Sequence, residues 1–266
     1  MLIDSHFHLD FADFAAERDA VVERARAAGI RRMITISTHT EAFDSISRLS
    51  ETYEDVFCTV GTHPHHAHEE AEVSLDRLAA LARHPKCVGI GEAGLDYHYD
   101  KTPRDIAARV FRTHIAAARQ SGLPIVIHAR DADTDVAAIL QEEMGKGAFK
   151  GLLHCFTASA LLAETALSLG LFISFSGVLT FKNSQNLRDI ARTVPMDRLL
   201  VETDAPFLAP VPYRGKRNEP AFVAATARTL AEVKGVSIQT IAQETSANTL
   251  RLFSKMPPPA LDAEAA

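Results

Sequence analysis

Residues 106–130 read IAARVFRTHIAAARQSGLPIVIHAR. The first part, 106–120, places apolar side chains at the three-and-four spacing of an amphipathic helix. Ser121-Gly122 ends that pattern, as glycine does just past a helix terminus. Pro124-Ile125-Val126-Ile127 is then a short apolar run rich in β-branched residues, the pattern of a strand buried on both faces. His128 and Arg130 come directly after it. Helix, stop, buried strand and polar strand end form one unit of a repeating α/β fold.

The same unit recurs outward along the chain. Other apolar runs lie at 2–3, 32–37, 56–60, 87–90, 151–153, 171–174 and 198–201, which with 124–127 makes eight. Helical spacing marks 17–28, closed by Gly29, and also 133–144 and 159–169. Eight strands separated by helices predict a (β/α)8 TIM barrel in one domain over residues 1–254. A doubly wound open sheet would carry a glycine-rich phosphate fingerprint after its first strand, and this chain has none there. A Pro-rich loop, 206–220, and helical patterns at 220–233 and 237–253 complete the domain. Residues 255–266, mostly Pro and Ala, are expected to form a disordered tail.

At 266 residues and 47% hydrophobic, the chain can bury a substantial core. A net charge of −6 argues against a broad basic face for gripping duplex nucleic acid. Bound divalent cations would reverse that sign locally, so a nucleic-acid substrate stays open. The cysteines Cys58, Cys87 and Cys155 are odd in number and form no CxxC, which points to a reducing cytoplasm. No cleavable leader and no membrane-length apolar run is evident, so no membrane association is expected.

In such a barrel the active site lies at the C-terminal ends of the strands. The residues just past each apolar run are therefore informative. Asp4, His6 and His8 come after the first, His63 after the third, Glu92 and Asp96 after the fourth, and His128 after the fifth. His154 comes after the sixth, and Glu202 and Asp204 after the eighth. His6 and His8, two apart on a strand, point to one side and can share one metal ion. A single strand-end histidine is usually packing or solvation, but this set collects too many ionisable groups on one rim for that. The ligands exceed one tetrahedral ion and suit two ions with open positions. Glu92, with two oxygens, is the natural bridge between them.

Taken together, DSHFHLD (4–10), VGTHPH (60–65), GEAGLDY (91–97), PIVIHAR (124–130), LHCF (153–156) and ETDAPFLAPVPYRGKRNEP (202–220) resemble the TatD family of metal-dependent deoxyribonucleases. SANTLRLF (246–253) resembles that family's closing segment, apart from Thr249-Leu250, where many relatives carry an aromatic-acidic pair. The resemblance spans residues 1 to about 254. It implies one ion held by His6, His8 and Asp204, a second by His128 and His154, and Glu92 between them. Related barrels often bridge their metals with a carbamylated lysine; Glu92 stands in that place and favours the TatD branch.

The expected cofactor is a pair of divalent cations, with zinc, manganese, magnesium, cobalt, nickel and iron all admitted by these ligands. Glu92 and Asp204 are the first catalytic candidates, Asp204 to orient the attacking water or take its proton. His63 is the candidate to protonate the leaving 3′ oxygen. Arg130, Tyr213, Arg214 and Arg217 are the candidate phosphate contacts. Phe156, Phe181 and Tyr213 are candidates to stack on an unpaired base. His65, His66 and His68 read as loop residues, His39 and His114 as histidines without partners at ligand spacing, and Cys155 as barrel-wall packing. The expected activity is hydrolysis of DNA, from an end and on single strands, with no obligate protein partner. A hydrolase of another bond on the same scaffold, such as a misacylated-tRNA deacylase or a lactonase, is the alternative. A non-catalytic metal-binding protein is the third reading.

Overall fold

The computed structural model describes residues 1–259. Its strands are β1 Leu2–Phe7, β2 Ile30–Thr35, β3 Val56–Val60, β4 Cys87–Asp96, β5 Ile125–Arg130, β6 Gly151–Leu153, β7 Phe172–Phe175 and β8 Leu199–Val201. They pair in sequence order, all parallel, in one eight-stranded sheet. The sheet curls round until β8 meets β1. The backbone N–H of Asp204 donates to His6 O at 2.9 Å and that of His8 to Ala205 O at 2.8 Å, closing the seam at the mouth. The helices are α1 Arg18–Ala27, α2 Phe43–Thr52, α3 Leu75–Leu81, α4 Arg104–Ser121, α5 Asp133–Lys146, α6 Ala160–Ser168, α7 Gln185–Thr193, α8 Val223–Lys234 and α9 Ile238–Leu252. None is long and apolar enough to cross a membrane. The architecture is the expected (β/α)8 barrel.

Two layers of core result from the strand period. One side of the strands faces the barrel axis, where Ile3, Ile34, Val88, Val126, Leu152 and Leu200 pack together. Leu252, Phe253 and Met256, at and after the end of α9, join that cluster at the foot of the barrel. The other side faces the helices. In α4 the residues Ala107, Val110, Phe111, His114, Ile115 and Ala118 are buried, the stripe that helical spacing demands. Each fully buried large side chain, such as Phe111, contributes about 1.5–3 kcal/mol. Gly122 ends α4 in the left-handed region at φ 72°, and its N–H donates to Ala118 O.

The structure departs from the sequence expectations in three places. The first strand runs through His6 as expected but ends at Phe7, one residue short of His8, and the fourth runs on beyond its apolar residues through Glu92 to Asp96. Their polar side chains line the mouth of the barrel, so polarity there does not end the strand. Helices α2, α3 and α7 complete the alternation outside the helical stretches marked above, although Phe43, Ile46 and Leu49 in α2 and Leu187, Ile190 and Ala191 in α7 stand at helical spacing. The expected tail begins differently: Met256 is buried, and Arg32 donates to the carbonyls of Pro257 and Pro258. The rest of that tail, 260–266, lies outside the described residues.

Glycine is required where β4 threads between its neighbours. A Cβ on Gly94 would lie 2.0 Å from His128 O, and one on Gly61 would lie 2.4 Å from Gly91 Cα. These close approaches draw the ends of β3, β4 and β5 together and set Glu92 beside His128.

Candidate metal centre

His6, His8, Glu92, His128, His154 and Asp204, supplied by five different strands or strand ends, meet at the mouth of the barrel. Glu92 is buried at their centre, and its two oxygens face different partners. Oε1 lies 3.9 Å from His6 Nε2, 3.8 Å from His8 Nε2 and 3.8 Å from His63 Nε2. Oε2 lies 2.8 Å from His154 Nε2 and 3.5 Å from His128 Nδ1. Asp204 Oδ1 stands 3.6 Å from Nε2 of both His6 and His8. Asp204 has φ 58°, a left-handed conformation that a non-glycine residue adopts rarely and often at functional sites.

The histidine rings are held from behind. His8 Nδ1 bonds to Ile36 O at 3.2 Å. His128 Nε2 bonds to Asp96 Oδ2 at 3.2 Å, and His154 Nδ1 lies 3.4 Å from Glu202 Oε1. A proton on each of those outer nitrogens leaves the inner one free to accept, which is how protein metal sites fix the tautomer of a ligand histidine. His6 is stacked on His154 at 3.9 Å and is fully buried. Neither of its ring nitrogens has a hydrogen-bond partner among the described residues. A buried imidazole left so costs free energy unless something else binds it. Orphaned nitrogens, preset tautomers and a His–carboxylate donor set together fit a divalent cation.

Burial and the facing carboxylates act on these groups in opposite directions, and a cation would displace the proton that Glu92 holds on His154. Burial alone would raise Glu92, but the surrounding His63, His154 and His6 hold its carboxyl well below the usual range. Burial, reinforced by His154, keeps His6 well below its ordinary value, and burial does the same to His63. Burial would also lower His154, yet Glu92 and Glu202 outweigh it and raise that ring well above its ordinary value. Burial pushes Asp4 up to about 8, against the bonds it accepts from Thr203. The centre is thus an anionic carboxylate among crowded rings, arranged for a cation.

The remaining sequence candidates are distributed around it. His63 Nδ1 accepts the backbone N–H of His65 at 3.1 Å, which turns Nε2 inward toward Glu92. The Arg130 guanidinium sits 4.8 Å from the Tyr99 ring centroid at the rim. Arg214 covers the face of Phe181 at 3.8 Å. Tyr213 is stacked flat on Phe222 at 3.8 Å. Arg217 is tied to Glu17 Oε1 at 2.9 Å and to Asp13 O at 2.6 Å. Tyr213 and Arg217 therefore brace the Pro-rich loop.

Several residues with work to do here carry no role in the sequence expectations. Asp96 Oδ2 joins His65 Nε2, at 2.8 Å, to His128. Glu202 accepts the N–H of Cys155 at 2.6 Å behind His154. The spacing of Glu92 and Asp96, four apart on one strand, is the available signal for Asp96. His114 lies outside the centre and is used structurally: Nε2 accepts the N–H of Thr62 at 3.0 Å and Nδ1 bonds to Val110 O at 2.8 Å. His39 also has neighbours, since it gathers with His66 and Glu69 at the outer rim. Cys155 follows the end of β6 at φ 41°, with Sγ 3.1 Å from Ser176 Oγ. It is a rim residue and not barrel-wall packing, because β6 stops at Leu153.

The family described as TatD related DNase matches residues 3–254. The chain is 42% identical over 253 residues to the uncharacterized metal-dependent hydrolase YabD of Bacillus subtilis (strain 168), across 95% of this chain and 99% of that one. It is 34% identical over 259 residues to the 3'-5' ssDNA/RNA exonuclease TatD of Erwinia tasmaniensis, across 95% and 100% of the two chains. The crystal structure of YjjV, a TatD homolog from Escherichia coli K12, superposes with a TM-score of 0.88 at 29% identity, covering 95% of this chain and 98% of that one. A family match over nearly the whole barrel, and a mouth built to hold a cation, lead to one conclusion: the chain belongs to the TatD-related DNase family and is a metal-dependent hydrolase.

Proposed function

We propose that the protein is a deoxyribonuclease that uses two divalent cations to hydrolyse phosphodiester bonds, trimming single-stranded DNA from an end. The observation that carries this reading is the division of Glu92. One oxygen faces His6 and His8, with Asp204 beyond; the other faces His128 and His154. The name of the Erwinia relative, a ssDNA/RNA exonuclease, supports nucleic acid as the substrate.

His6, His8, Asp204 and Glu92 would hold one cation, and Glu92, His128 and His154 the other. Cations bound there would acidify water and offset the charge that develops on the phosphoryl oxygens. Asp204 orients the attacking water and accepts its proton, because its carboxylate faces the cavity beside both His6 and His8. His63 is neutral at working pH, since burial holds it well below its ordinary value. With Nδ1 accepting from His65, its proton resides on Nε2, which points into the cavity. His63 therefore serves by hydrogen-bonding the leaving 3′ oxygen rather than as an imidazolium acid, and that oxygen takes its proton from solvent water as the P–O bond breaks. Arg130 and Arg214 are the phosphate contacts of this scheme.

The test is hydrolysis of single-stranded DNA beside small phosphodiester, ester and lactone substrates, with and without chelator. Metal-dependent cutting of DNA that is abolished by Glu92→Gln is the expected result. Turnover confined to esters or lactones would replace the nuclease reading by the alternative hydrolase. Full activity in the Glu92→Gln variant would refute the role given to the carboxylate.

A further inference from the structure

Phe207 and Tyr99 are about half exposed, at 51% and 53%, which is unusual for large aromatic side chains. They stand on opposite sides of the barrel mouth. Phe207 follows β8 and Tyr99 follows β4, four strands apart in an eight-strand circuit. The histidines lie between them. The ring of Phe207 is 6.4 Å from that of His8, and Tyr99 is 5.1 Å from His65, itself 4.4 Å from His63.

The loop that carries Phe207 is pinned on both sides. Its N–H donates to Asp204 O at 2.9 Å. The buried Asn218 side chain donates to Phe207 O at 2.6 Å and to Thr203 O at 2.9 Å, and Asn218 N donates to Pro206 O at 3.0 Å. Phe11 supports the ring from the side at 6.0 Å and 77°. Its contacts with His8 and Phe11 are both steep, so among the described residues no ring is stacked on its face. A phenylalanine kept only for packing would turn into the core. This one has its backbone pinned and its ring about half exposed. Tyr99 differs: Arg130 sits 4.8 Å and Lys101 5.8 Å from its centroid, so the ring carries cations with it.

We infer that Phe207, supported by Phe11, is a stacking platform for one unpaired base, and that Tyr99 with Arg130 holds the nucleotide across the scissile phosphate. The inference rests on the nuclease reading of the centre between them. A paired base cannot lay its face on Phe207, so the platform selects single strands, and every base has a π face, so it does so without regard to sequence. It also replaces the aromatics expected from the sequence. Phe156 is only 2% exposed, Phe181 lies under Arg214, and Tyr213 is spent on Phe222.

The experiment compares wild type, Phe207→Ala, Phe207→Trp and Tyr99→Ala. The probes are a short fluorescent single strand and the same strand with abasic tetrahydrofuran units. Binding is read by anisotropy with chelated protein, and kcat/KM with the cation-loaded enzyme. Phe207→Ala and Tyr99→Ala should each weaken binding of the normal strand about 5- to 150-fold. Phe207→Ala should leave binding of the abasic strand unchanged, and Phe207→Trp should retain wild-type affinity. Tyr99→Ala should weaken the abasic strand as well, because the ring carries the phosphate-binding Arg130. Wild-type affinity of Tyr99→Ala for the normal strand overturns the Tyr99 clamp. Equal affinity of Phe207→Ala and wild type for the normal strand, or an equal loss on both strands, overturns the platform. If loaded enzyme cuts no DNA while Phe207-dependent binding persists, the platform stands and the nuclease reading alone fails.

Discussion

Asp96 Oδ2 lies 3.2 Å from His128 Nε2, while the other ring nitrogen of His128 faces Glu92 at 3.5 Å. One carboxylate thus sets the ring that a second carboxylate meets at the centre. Burial would raise Asp96, but bonds from His128 and His65 hold its carboxyl far below the usual range.

Replacing Asp96 by Asn removes the anionic acceptor and frees the His128 tautomer. Divalent-cation affinity should fall about 10- to 100-fold with the circular dichroism spectrum preserved. Competition with a chromogenic chelator measures it, and wild-type affinity in Asp96→Asn would dismiss the positioning role.

Removing the cation should lower thermal stability. A ligand that binds only the folded chain at about 100 times its Kd contributes about 2.7 kcal/mol. For a chain of this size that corresponds to a midpoint shift of roughly 5–10 °C between chelated and cation-loaded protein. Differential scanning calorimetry reads the shift. It should largely vanish in Glu92→Gln, and a full shift in that variant would place the cation elsewhere.

Gly94→Ala should be strongly destabilising. The added Cβ would fall 2.0 Å from His128 O, at φ 156°, so β4 must move away from β5. A cost of about 3 kcal/mol or more is expected from such overpacking. Urea unfolding provides the measure, and a loss below about 1 kcal/mol would show that the strands separate freely.

His114 gives a stability that depends on pH. Burial lowers its pKa from 6.5 to about 4, so the native ring stays neutral where the unfolded one gains a proton. Between those values the unfolded state binds more protons, and stability falls as pH falls from about 6.5 to about 4. The contribution is on the order of 3 kcal/mol across that window. Denaturant unfolding at a series of pH values should show a shallower slope in His114→Gln than in wild type. Identical slopes would remove His114 from the account.

Much of this protein is legible along the chain. Apolar runs alternating with amphipathic stretches specify a parallel sheet covered by helices, because burial on both faces leaves no polar side for the strands. The same periodicity carries His6, His8, His128 and His154 to strand ends, and so to one rim. Local pattern cannot express how far one strand end lies from another, or which nitrogen of a ring turns inward. Those depend on closure of the barrel at Asp204 and His6, and on the close passage of Gly61, Gly91 and Gly94. Only the folded barrel brings Asp96 behind His128, Glu202 behind His154, and His114 under Thr62. The aromatic residues of the mouth divide in the same way. The sequence points to Phe156, Phe181 and Tyr213 and passes over Phe207 and Tyr99, and only the tertiary contacts decide which rings are covered and which still face the solvent.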